Sequence, residues 1–100
     1  MLTGKKVLVL GLAKSGLAAV RLLVHLHATV TVNEYQPLEK INCLEELQSL
    51  GVEIIAGGHP DELFERDFDF AVKNPGIKYR MPFILRLQER KVPIYTEIEL

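Results

Sequence analysis

Three short segments bring together residue types suited to binding anions and nucleotides. The first is Gly11-Leu-Ala-Lys-Ser-Gly16, which leaves an apolar run and opens a helical one. At a helix start the backbone N–H groups are unpaired and the dipole is positive, so such a loop can hold an anion. Gly11 permits the tight turn, and Gly16 permits close packing of helix on sheet. Ala13 stands where a G-x-G-x-x-G fingerprint has its second glycine, placing a methyl where a pyrophosphate presses on the backbone. Leu17-Ala18 after Gly16 exclude the G-x-x-x-x-G-K-[ST] phosphate loop, and with it a nucleoside-triphosphate hydrolysis motif. Lys14 is either a solvated loop lysine or a phosphate contact. Ser15 is either an N-cap alone or also a phosphate donor. The whole loop also reads as a structural turn with no ligand.

The second segment is Asn33-Glu34-Tyr35. An acid about twenty residues beyond a glycine loop commonly hydrogen-bonds a ribose or base edge, and Glu34 lies 18 residues past Gly16. The alternative for Glu34 is an exposed carboxylate at a strand end. The third segment is Lys73-Asn-Pro-Gly-Ile77. Pro75 fixes φ and Gly76 allows a positive one, so the turn is rigid and presents its backbone. Alone it is merely a turn; its position opposite the glycine loop makes it a site candidate.

The other reactive side chains fall outside this set. His25 and His27 are two residues apart at a helix end and point in different directions, which is unsuited to a shared metal. His27 occupies a helix–strand junction where glycine is usual, and histidine tolerates a positive φ there. His59 lies in a Gly-Gly-His-Pro turn and reads as structural. Cys43 reads as half-buried packing in the middle of a helix. No Ser–His–Asp, Cys–His or metal-ligand constellation is expected to come together.

The elements that must position these segments alternate between strand and helix. Lys6–Leu10 is a continuous apolar run ending at Gly11, as in a strand covered on both faces. Residues 15–26 have helical periodicity, and Thr29–Val32 is β-branched throughout. Leu38, Ile41, Leu44, Leu47 and Leu50 predict a helix over 37–50, stopped by Gly51. Strands at 52–55, 68–72 and 92–95, a short helix at 61–65 and a helix at 82–90 complete the pattern. Such alternation predicts an α/β fold, a Rossmann-like three-layer sandwich with a five-stranded parallel sheet in the order 3-2-1-4-5. Residues 1–95 form the expected domain. Residues 96–100 read as the start of a connection to something further. In such a fold the ligand sits beyond the carboxyl ends of the strands, where all three segments converge.

The chain has 100 residues, 48% apolar and 25% charged, ordinary usage for one globular domain. A net charge of −1 argues against nucleic acid as a partner. Residues 1–40, 41–70 and 71–100 carry net +3, −7 and +3, so an anionic ligand is expected against the first and last thirds and the acidic middle on a solvated face. The single cysteine fits a reducing compartment. No membrane span or signal peptide is recognisable, so the chain reads as cytoplasmic.

With these segments in place the chain resembles the N-terminal domain of the Mur ligases, in particular the branch that adds D-glutamate during peptidoglycan synthesis. The resemblance covers all 100 residues. It rests on Gly11–Gly16 with Leu17-Ala18, on Asn33-Glu34, on Asn74-Pro-Gly-Ile77 and on Glu97-Ile-Glu-Leu100. It implies the UDP-binding domain of a bacterial, cytoplasmic, ATP-dependent ligase acting on UDP-N-acetylmuramoyl-L-alanine, with ATP, Mg²⁺ and D-glutamate held by further domains. This domain alone is then inactive, binds no cofactor or metal, has no nucleic-acid or membrane partner, and is monomeric. By the same resemblance Lys14, Ser15 and Gly16 receive the diphosphate, Glu34 and Tyr35 face the uracil, and Asn74, Pro75 and Gly76 line its other side. Ala13, Glu34 and Asn74 depart from the family's commoner Gly, Asp and Ser. Two competing readings are an NAD(P)-binding domain of an oxidoreductase and a ligand-free interaction module.

Overall fold

A computed structural model describes residues 1–12 and 16–96 of the chain. Five strands, β1 (Lys6–Leu10), β2 (Thr29–Glu34), β3 (Glu53–Ala56), β4 (Phe70–Lys73) and β5 (Ile94–Thr96), form one parallel sheet in the order β3-β2-β1-β4-β5. This is the expected α/β topology. Central β1 explains itself: Val7, Leu8, Val9 and Leu10 are all fully buried, because both faces of the strand are covered. Successive residues point to opposite faces. Val7 and Val9 therefore enter one core with Ala19, Val20 and Leu23 of helix α1 (Gly16–His25) and Leu47 of α2 (Leu44–Ser49). Leu8 and Leu10 enter the other, with Leu63, Phe64 and the Phe83, Ile84 and Leu87 stripe of α3 (Pro82–Glu89).

The expected helix over 37–50 is not one helix. A 3₁₀ turn at Leu38–Lys40 is followed by extended Ile41 (φ −85°, ψ 110°), and α2 starts only at Leu44. The reason lies in the spacing. Apolar residues every three positions rotate by about 60° per step around a 3.6-residue helix, so five of them spread over most of its circumference. Breaking the chain lets Ile41 and Leu47 both reach the core while Leu38 stays exposed. Cys43 is consequently the N-cap residue of α2, half-buried, and not mid-helix. The strands at 52–55, 68–72 and 92–95 are each displaced towards the carboxyl end, to 53–56, 70–73 and 94–96. Phe68 instead packs into the second core.

His27 has φ 68°, as a glycine substitute must. His27 N–H donates to Val24 O and Ala28 N–H to Leu23 O, the paired bonds of a Schellman cap. Lys91 (φ 61°) closes α3 in the same way, through Lys91 N–H to Gln88 O and Val92 N–H to Leu87 O. The acidic middle is a solvent-facing surface, as its charge run predicts, and several of its acids form exposed ion pairs. Glu46 pairs with Arg21, Glu53 with Arg66, Asp61 and Glu65 with Arg86, and Asp67 with Arg90. Asp61, Glu65 and Asp67 thus pair with α3 and its C-cap residue Arg90. Among the described residues no helix is long and apolar enough to cross a membrane.

Candidate functional site

The sheet's strand order reverses between β1 and β4, and the loops leaving them diverge there to open a cleft. Its volume is about 730 Å³, ample for a nucleotide-sized ligand. The loops are locked together from below. Gly11 has φ +89°, and a Cβ built on it would lie 3.2 Å from Asn74 Cβ and 3.4 Å from Ile77 Cδ1. Glycine is therefore required twice, by conformation and by the approach of the turn after β4. Gly11 N–H donates to Asn33 O (2.9 Å), and Asn74 N–H to Leu10 O (3.0 Å), extending the sheet's ladder by one bond on each side.

Glu34 occupies the junction of two loops. Its Oε1 accepts the Leu12 N–H at 2.8 Å and its Oε2 the Gln36 N–H at 2.8 Å. The carboxylate thus clamps the glycine loop to the end of β2, and it is the one acid among the described residues lining the cleft. Tyr35 stands at the rim, 73% exposed. Asn74 folds its own turn: Oδ1 accepts the Gly76 N–H (2.8 Å), and its carbonyl accepts the Ile77 N–H (2.9 Å).

Glu34, Tyr35, Asn74 and Gly76 therefore all face the cleft, joined by Leu12, Leu17, Ile77 and Phe83 as its apolar wall. Gly16 is buried as the first residue of α1, and Pro75 is exposed; neither is among the residues lining the cleft. Lys14 and Ser15, together with Ala13, lie outside the described residues, as do residues 97–100. Among the described residues the lysines on the cleft wall are Lys40 and Lys78, from the first and last thirds of the sequence, against which an anion is expected from the charge distribution.

Three positions at the cleft, named in the sequence reading without a site role, make contacts that reading did not anticipate. Asn33 is fully buried and donates both amide hydrogens, to Ile55 O (3.0 Å) and Gly58 O (2.8 Å). Its Oδ1 then meets His59 Nδ1 at 2.6 Å. His59, read from its turn as a structural residue, lines the cleft and stacks on Phe83 with ring centroids 4.0 Å apart. Burial holds its imidazole below the ordinary 6.5, against a smaller upward pull from the Glu34 charge. Lys73, the last residue of β4, is 3% exposed; its Nζ donates to Ile77 O (2.9 Å) and lies 4.5 Å from the Tyr79 ring centroid. It braces the Asn74–Ile77 turn from behind. A charged residue ending an otherwise buried strand was the available signal. Among the described residues no group of three His, Cys, Asp or Glu side chains is placed to hold a metal.

Parallel sheet, reversed strand order and a cleft between the loops of β1 and β4 define a Rossmann-like α/β domain with an open cleft at its switch point. A solved structure of BdcA in complex with NADPH shares this fold, with a TM-score of 0.57 at 22% identity, over 86% of this chain and 42% of that one. The family is more specific: residues 5–96 match the N-terminal domain of MurD-like Mur ligases, and the chain belongs to that family. It is 54% identical over 96 residues to the UDP-N-acetylmuramoylalanine–D-glutamate ligase of Enterococcus hirae (96% of this chain, 21% of the relative). It is 50% identical over 99 residues to the ligase of the same name from Streptococcus thermophilus (99% and 22%). The Geobacillus kaustophilus ligase is 48% identical over 96 residues (96% and 21%). The chain spans about a fifth of the length of these curated relatives.

Proposed function

We propose that this domain holds the uridine diphosphate end of UDP-N-acetylmuramoyl-L-alanine, in a ligase that joins D-glutamate to it. The observation that carries the reading is the switch-point cleft, in which Glu34 ties the glycine loop to β2 while Asn74 and Gly76 form the facing wall. Family membership favours it over the NAD(P)-binding alternative, since the likeness to the NADPH-binding structure is one of fold. In this reading the diphosphate meets the start of α1 around Lys14, Ser15 and Gly16, with Lys40 and Lys78 supplying positive charge. The base lies between Glu34–Tyr35 and the Asn74-Pro75-Gly76 turn.

ATP, Mg²⁺ and D-glutamate belong to parts of the protein outside residues 1–95, and 96–100 begin the connection to them. ATP converts the substrate's alanyl carboxylate to an acyl phosphate, which the D-glutamate amine attacks with loss of phosphate. This domain supplies binding and not chemistry. It acts in the cytoplasm as a monomer, with neither nucleic acid nor membrane as a partner.

An amide NMR titration with UDP and separately with NAD tests the assignment. UDP should shift residues 14–16, 34–35 and 74–76, and NAD should leave them in place. Shifts with NAD alone, or silence with UDP at millimolar concentration, would refute it.

A further inference from the structure

The tautomer of His59 is fixed by a residue that never touches the cleft. Both amide hydrogens of buried Asn33 are committed to the carbonyls of Ile55 and Gly58. Only its oxygen can face the imidazole, so His59 Nδ1, 2.6 Å away, must carry a proton and donate it. In the neutral ring Nε2 is then bare. Among the described residues it has no hydrogen-bond partner, while the ring itself forms part of the cleft wall, held flat against Phe83 and bordered by Tyr35 at 6.0 Å. His59 therefore offers the cleft an acceptor that no described protein group uses and that a ligand donor can take.

We propose that His59 is the residue that selects uracil over cytosine, its bare Nε2 accepting the imide N–H at ring position 3. This rests on the uridine diphosphate reading of the cleft and adds to it the group that reads the base. Tyr35, which borders the base in that reading, lies 6.0 Å from the imidazole ring, so a base held there meets the imidazole at its edge rather than on its face. Uracil presents a hydrogen at position 3. Cytosine presents a lone pair there, which faces the Nε2 lone pair and leaves both unsatisfied. Protonating Nε2 turns it into a donor and reverses the preference. The groups able to modulate this are Glu34, whose charge favours the proton, Tyr35 in ring contact, and Lys40 and Lys78 on the cleft wall, whose charges oppose it. On the α3 side the contact is Phe83, which carries no charge.

His59→Phe keeps the stack but strips Asn33 Oδ1 of its donor, so the decisive comparisons use the unaltered chain. The probes are UDP, CDP, N3-methyl-UDP and 2′-deoxy-UDP, titrated at pH 8 and again below pH 6, with the imidazole nitrogens followed by long-range ¹H–¹⁵N NMR. The free chain should show Nδ1 protonated and Nε2 bare at pH 8, and UDP should move the Nε2 resonance. CDP and N3-methyl-UDP should bind roughly tenfold more weakly than UDP, the equivalent of one hydrogen bond with an unpaired partner. The UDP-to-CDP ratio should narrow below pH 6. CDP binding as well as UDP, a protonated Nε2 in the free chain, or loss confined to 2′-deoxy-UDP would each overturn the role of His59 while leaving the uridine diphosphate site standing. Absence of UDP binding altogether would overturn both.

Discussion

Replacing Gly11 by alanine tests whether the cleft floor is built by close approach or by glycine's backbone freedom alone. At φ +89° any L-residue is strained, at a cost of about 1–2 kcal/mol. Gly51, at φ +76°, carries the same backbone cost and no steric one, because a Cβ there would meet nothing within 4 Å. Both substitutions also lower the entropy of the unfolded chain by a similar amount, so that contribution cancels between them. What remains is the Cβ at 3.2 Å from Asn74 Cβ and 3.4 Å from Ile77 Cδ1. Asn74 cannot retreat freely, because its backbone N–H is bonded to Leu10 O and its Oδ1 to the Gly76 N–H. Overpacking of this kind costs about 1–3 kcal/mol. Gly11→Ala should therefore be less stable than Gly51→Ala by about 1–3 kcal/mol in urea unfolding, a further fall in Tm of roughly 5–15 °C for a domain of this size. UDP affinity should drop in Gly11→Ala and stay unchanged in Gly51→Ala. Equal stability of the two variants, within about 0.5 kcal/mol by the uncertainty of such measurements, would show that the two loops are not in contact at this point.

Glu34→Gln leaves one oxygen to serve two backbone N–H groups, so urea unfolding should show a loss of about 1.5–3 kcal/mol and the Leu12 amide should exchange faster. His27→Gly and Lys91→Gly relieve left-handed strain at the two Schellman caps; each should gain about 0.5–1 kcal/mol, read as a rise in Tm. Burial lowers the folded pKa of His59 below the unfolded 6.5, so its contribution to stability is complete above 6.5 and is lost as pH falls from there through the folded value. Stability measured across that window should decline with acid, and His59→Phe should flatten the decline. Glu53, held below the ordinary 4.5 first by its hydrogen bond to Arg66, adds a second loss with the same sign as pH falls below 4.5, and Glu53→Gln should remove that part of the slope.

The sheet was readable because β1 is apolar on both faces and β2 is β-branched, patterns that admit one period and one environment. The region 37–50 was not, because a three-residue apolar step satisfies an α-helix locally and fails it over four turns. Only the positions of the Ile41 and Leu47 pockets decide where the chain breaks. The displaced strand ends have a related origin. Asp69 lies in the run read as strand four, but its N–H donates to Lys6 O and its carboxylate accepts the Lys6 N–H, so the residue serves the start of β1 before β4 begins.

The site divides in the same way. Glycine, proline and an acid at characteristic spacing identified the three loops, because backbone conformation and loop placement are local properties of sequence. What those residues do within the loops is not local. Glu34 reads as a ligand contact from its spacing, yet both of its oxygens already hold backbone N–H groups of neighbouring loops. His59 reads as a turn residue, yet Asn33, 26 positions earlier, decides which of its nitrogens is bare. Lys73 reads as the first residue of a turn, yet it is buried beneath that turn and holds it through Ile77 O. Asn33 and Lys73 lie behind the cleft wall and orient groups that form it, while Glu34 and His59 line the cleft and are also tied to neighbouring loops. Variants at Glu34, Asn33 and Lys73 should therefore affect loop order as well as ligand affinity. Variants of exposed Tyr35, whose ring stands at the rim, should affect affinity alone.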